Sequence, residues 1–129
     1  MDRSEALETI LDHYQNPRNY GELPAADVSL QGGNPGCGDI VTLFLKFNGD
    51  TLDEISYTGQ GCTISQAATS MLTEIARGYT IEQIENLDYT LIEELLSAEL
   101  VKTRPKCSTL GLDTLKFATQ KYRQERALK

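Results

Sequence analysis

A chain of 129 residues, 40% of them hydrophobic, can bury one modest core, and a single domain over residues 1–129 is the expected organisation. No run of about 18 apolar residues is present, and the opening Met1-Asp2-Arg3-Ser4-Glu5-Ala6 lacks a secretory apolar stretch, so a cytoplasmic protein with no membrane span is expected. A formal charge of -7 repels phosphate backbones and argues against nucleic acid as a partner.

In chain order, Leu7, Ile10, Leu11 and Tyr14 recur at helical spacing and predict an amphipathic helix that stops before Pro17. On that helix His13, the only histidine, lies roughly 110° from the centre of the apolar stripe at about 100° per residue, a surface or flanking position. A loop over 16–24 leads to a weak strand signal at Val28-Ser29-Leu30. The glycines and proline of 32–39 then predict irregular backbone. Val41, Leu43, Leu45 and Phe47 alternate with other residues as a strand with a buried face does. Asn48-Gly49 reads as a hairpin turn, and Leu52 to Thr58 as the returning strand.

From Cys62 onward the pattern is helical. Ile64, Ala67, Ala68, Met71, Leu72 and Ile75 form a long stripe closed by Gly78, with Thr63 and Gln66 in capping-box spacing at its start. Thr80 with Gln83 opens a short helix, and Leu91, Ile92, Leu95 and Leu96 mark another. Pro105 suits the first turn of a last helix, whose stripe is Gly111, Leu115, Ala118 and Tyr122. The expected class is α+β: an N-terminal helix, a three-stranded antiparallel sheet, then helices packed on one face.

Three cysteines, an odd number, make no disulfide framework in a reducing compartment, which turns attention to metal or sulfur chemistry. Cys37 stands between Gly36 and Gly38, with Asp39 two residues on. Cys62 follows Gly59-Gln60-Gly61 at a helix start, where the dipole favours the thiolate. Cys107 follows Pro105 in the same kind of position, with Lys102, Arg104 and Lys106 nearby. Three thiolates and a carboxylate form a reasonable four-coordinate set for zinc or iron, but separations of 25 and 45 residues require the tertiary fold to assemble it. A lone cysteine is more often a small buried hydrophobe than a ligand, so spacing leaves both readings open. No Gly-Lys-Ser/Thr follows the glycines, and no Ser/His/Asp triad can be drawn from one histidine.

Asn34-Pro35-Gly36-Cys37-Gly38-Asp39, Gly59-Gln60-Gly61-Cys62-Thr63-Ile64-Ser65-Gln66-Ala67, Ser70-Met71-Leu72 and Arg104-Pro105-Lys106-Cys107-Ser108, with His13-Tyr14-Gln15-Asn16-Pro17-Arg18-Asn19, together resemble the IscU/SufU/NifU N-terminal family of iron-sulfur cluster assembly scaffolds. The resemblance implies that Cys37, Asp39, Cys62 and Cys107 are metal ligands, with Cys107 the first acceptor of persulfide from a cysteine desulfurase. It implies a [2Fe-2S] cluster or iron as cargo, and apo iron-sulfur acceptor proteins as recipients. The alternative it carries is a SufU-like zinc-dependent sulfur carrier that holds Zn2+, and whether the protein counts as an enzyme turns on that choice. Lys106 stands where the housekeeping scaffolds have histidine, as in the SufU branch, yet the insertion usual in that branch between Cys62 and Cys107 is missing. The segment those scaffolds offer to an Hsp70-type chaperone is reduced to Leu100-Val101-Lys102, which makes that chaperone a doubtful partner.

Overall fold

The computed structural model describes residues 3–34 and 38–127. Helix α1 spans Arg3–Gln15, and three strands follow: β1 (Val28–Asn34), β2 (Asp39–Asn48) and β3 (Thr51–Gln60). Five helices complete the order: α2 (Thr63–Ala76), α3 (Ile81–Glu85), α4 (Tyr89–Leu96), α5 (Ala98–Thr103) and α6 (Pro105–Ala127). The strands form one antiparallel sheet in the order β1-β2-β3, as the α+β expectation has it.

Along β2, Asp39, Val41, Leu43, Leu45 and Phe47 are buried and alternate with less buried residues, so one face of the sheet carries the core. Helices α2 and α6 pack against the strands, and α1 lies on α2. Because α2 is central, it is buried on nearly every side: small Ser65, Thr69, Ser70 and Thr73 are hidden alongside Ala67, Ala68, Met71 and Leu72. The hairpin loop is Gly49-Asp50 rather than Asn48-Gly49, since Asn48 pairs with Thr51 and only Gly49 takes a positive φ, 64°. Thr80 and Gln83 form the expected capping box at α3. Helix α5, which no periodicity announced, is a six-residue piece capped by Ser97.

Two expectations are corrected. Among the described residues of 32–39, the stretch expected to be irregular, most are strand: Gly32, Gly33 and Asn34 pair with Val41, Ile40 and Asp39. Glycine at position 32 serves close packing, because a Cβ there would lie 2.0 Å from Thr114 Oγ1 on α6. The buried face of α1 is also not the expected one. Ala6, Ile10 and His13 point inward, while Leu7, Leu11 and Tyr14 are 42%, 50% and 46% exposed. His13 is therefore a buried residue, hydrogen-bonded through Nδ1 to Ser70 Oγ at 2.8 Å.

Candidate metal-sulfur site

The parity that buries Val41 also turns Asp39, the first residue of β2, toward the helices, and it is 1% exposed. There it meets the starts of α2 and α6, whose positive dipole ends favour anionic groups. Carboxylate and sulfur atoms of Asp39, Cys62 and Cys107 all lie within 4.8 Å of one another. The fold thus joins three residues separated by 23 and 45 positions in the chain. Cys37 falls outside the described residues.

Asp39 is held from several sides. Its Oδ1 accepts the Cys62 backbone N–H at 2.7 Å, and its Oδ2 faces the Cys62 thiol at 3.5 Å. Burial pushes the carboxyl pKa up, but hydrogen bonds from the Cys107 thiol, the Cys62 amide and thiol and Ser65 outweigh it and leave the group below the ordinary carboxylate range. Gly61, with φ of 135°, makes this possible: a Cβ there would sit 2.1 Å from Asp39 Oδ1. The glycine before Cys62 is needed for the carboxylate, as well as for the turn.

The cap of α2 differs from the one expected. Cys62, not Thr63, is the N-cap, and its sulfur accepts the Ser65 N–H at 3.4 Å. Cysteine is outside the usual set of capping residues, so the motif reading passed over it to the adjacent threonine. Ser65, three residues after the cap, then places its hydroxyl beside the same sulfur. Gln66 stands behind that hydroxyl, with Nε2 donating to it at 3.3 Å. Neither was singled out as part of a site; the signal available was their spacing from Cys62.

Cys62 is partly exposed, whereas Cys107 is 2% exposed in the first turn of a 23-residue helix. Cys107 is thus set in regular structure, at the helix start that Pro105 suggests. Lys106, immediately before it, points to solvent.

The chain matches the family model described as "NifU-like N terminal domain" over residues 5–129. It belongs to that family. Among relatives of this NifU-like domain, the iron-sulfur cluster assembly scaffold protein IscU 1 of Archaeoglobus fulgidus is 36% identical over 115 residues, covering 89% of this chain and 74% of its own. The zinc-dependent sulfurtransferase SufU of Bacillus subtilis is 33% identical over 131 residues, covering 88% of each chain. The crystal structure of the N-terminal part of a nitrogen-fixing NifU-like protein from Brucella abortus aligns with a TM-score of 0.78 over 95% of this chain and 99% of that one. At 17% identity that likeness speaks for the fold alone.

Proposed function

We propose that this NifU-like domain is an iron-sulfur cluster assembly scaffold that takes persulfide sulfur from a cysteine desulfurase, builds a [2Fe-2S] cluster and passes it to apo acceptor proteins. The observation that carries this reading is the convergence of Asp39, Cys62 and Cys107 where β2, α2 and α6 meet. Cys37 is the proposed fourth ligand. Thiolates supply soft donors that suit iron in a sulfide-bridged cluster, and the single carboxylate oxygen is the donor that exchanges most readily, which suits cargo that must leave.

Cys107 is the proposed sulfur acceptor. Its thiolate attacks the terminal sulfur of the desulfurase persulfide; the S–S bond breaks, the desulfurase cysteine departs as a thiolate, and the sulfane sulfur stays on Cys107. Reduction of that sulfur to sulfide draws electrons from a separate donor. Because Cys107 is buried, docking of the desulfurase must uncover it.

A second reading, zinc-dependent sulfur carriage, is favoured by Lys106 in the position before Cys107 and by the likeness to a protein named a zinc-dependent sulfurtransferase. In it Cys37, Asp39, Cys62 and Cys107 would hold Zn2+, which would polarise the three sulfurs, and Cys107 would be the acceptor of the sulfane sulfur.

Anaerobic incubation with ferrous iron, cysteine, a thiol reductant and a desulfurase separates the two. The scaffold reading expects a visible cluster chromophore, weakened by Cys62→Ser, and persulfide label on Cys107 when both iron and the thiol reductant are left out. No chromophore, together with zinc-dependent stimulation of the desulfurase, replaces the scaffold with the carrier. Label on Cys62 with none on Cys107 removes the acceptor role from Cys107.

A further inference from the structure

The first turn of α2 places more around the Cys62 sulfur than a cap requires. Ser65 is 0% exposed, and its hydroxyl has several neighbours. Its Oγ lies 3.7 Å from Cys62 Sγ, donates to the Cys62 carbonyl over 3.1 Å and reaches the Asp39 carboxylate. From the far side Gln66 Nε2 donates to the same Oγ. Gln66 is itself buried and lies against Gly59, where a Cβ would come 2.8 Å from Gln66 Oε1. The glycine therefore leaves room for the amide that braces the serine.

Proton accounting then restricts what this hydroxyl can do. A serine hydroxyl has one proton and two lone pairs. The Gln66 amide occupies a lone pair, so the proton turns toward Cys62 and Asp39. While Cys62 is a thiol, its own proton is shared between Asp39 Oδ2 and Ser65 Oγ, and the serine proton between the Cys62 carbonyl and the Asp39 carboxylate. Once the sulfur is a thiolate ligand, that S–H is gone and the sulfur presents acceptor capacity to the hydroxyl.

We propose that Ser65 is a positioning residue whose hydroxyl, braced by Gln66, turns from the Cys62 carbonyl onto the Cys62 sulfur when that sulfur is a metal or cluster ligand. This rests on the reading of Cys62 as a ligand. With the Ser65 N–H already on the sulfur, the hydroxyl is a second donor, and hydrogen bonds to ligand sulfur orient it and draw electron density from it.

The full chain loaded with Co2+, a spectroscopic stand-in for zinc, tests this through its thiolate-to-cobalt charge-transfer absorption. Ser65→Ala is expected to move the band to lower energy and to weaken zinc binding about 10-fold in chelator competition, the usual lower bound for loss of such a partner. Ser65→Thr, which keeps the hydroxyl, is expected to restore the band. Gln66→Met, similar in volume but without the amide, should shift it the same way by less. A metal-free Ser65→Ala chain that melts like the wild type separates this from packing damage. If that variant does not fold, Gln66→Met decides the matter, and an unmoved band there overturns the proposal. A band unmoved in folded Ser65→Ala but altered in Cys62→Ala ends the role of Ser65 and leaves the ligand reading standing. A band unchanged by Cys62→Ala removes Cys62 from the ligands, and the proposal falls with it.

Discussion

Gly61 shows how a single missing side chain can control a site. Its positive φ strains any L residue, and in addition a Cβ would press on Asp39 itself, 2.8 Å from its Cα as well as 2.1 Å from Oδ1. Backbone cannot yield at that distance the way a flexible side chain can. Gly61→Ala is expected to lower stability by about 1–3 kcal/mol and to cost metal binding at least about 10-fold, as the carboxylate and the Cys62 amide are forced apart. Gly78→Ala supplies the control: φ is 91° but nothing lies within 4 Å of the added methyl, so thermal melting should reveal lost stability while cobalt and zinc binding stay at wild-type strength. Equal loss of binding in both variants would mean that the Gly61 effect is only general destabilisation. From the sequence, Gly59-Gln60-Gly61 could be read as a tight turn. What the second glycine is tight against is Asp39 at the start of β2, 22 residues earlier, and no local pattern carries that.

Among the elements, α1 was easy to find and hard to orient. Its ends follow from Pro17 and the apolar spacing, but bulk misled the choice of face. Leu7, Leu11 and Tyr14 outweigh Ala6 and His13 on any hydrophobicity count, yet α1 lies on a stretch of α2 where Ser70 and Thr73 leave room for close approach, and the face turned inward is Ala6, Ile10 and His13. The actual face is rotated by roughly 80° from the expected one at about 100° per residue. Ile10 belongs to both stripes and so serves as the reference, while Leu11, which belongs only to the expected one, discriminates between them. Ile10→Ala is expected to cost about 2–5 kcal/mol in denaturant unfolding, the range for a buried aliphatic truncation. Leu11→Ala, one position on and half exposed, should stay within about 0.5 kcal/mol of wild type. Equal costs would restore the bulk-based stripe. The strands were more legible, because period 2 admits few choices of face: the alternation through Val41 to Phe47 extends back to Asp39 and sets its carboxylate inward. The same extension was hidden by Gly32 and Gly33, which read as loop formers, although Gly32 is the thin point of β1 beneath Thr114 of α6.

For the molecule as a whole, residue types announced the chemistry of the site while the meeting of β2, α2 and α6 supplied its geometry, and the same division applies to the buried histidine that ties α1 down. His13 Nδ1 is 2.8 Å from Ser70 Oγ, which already accepts the Arg18 backbone N–H at 2.9 Å and so has its own proton available for a neutral imidazole. Nε2 lies 3.6 Å from Glu74. Burial is the largest influence on His13 and lowers its pKa; Arg18 lowers it further, and Glu74 and Asp12 raise it without reversing the sign. A base with a depressed folded pKa is protonated more readily in the unfolded chain. Its contribution is therefore complete above the unfolded value of about 6.5 and is lost as pH falls from there through the folded pKa. In the metal-free chain, the stability difference between wild type and His13→Asn should be constant from pH 8 to about 6.5 and shrink steadily as the buffer is taken toward pH 5. Melting curves for both proteins across that series measure it. A gap that grows on acidification would mean that the imidazolium paired with Glu74 is the stable form, and the Ser70 hydroxyl would then have to turn its proton away from the ring.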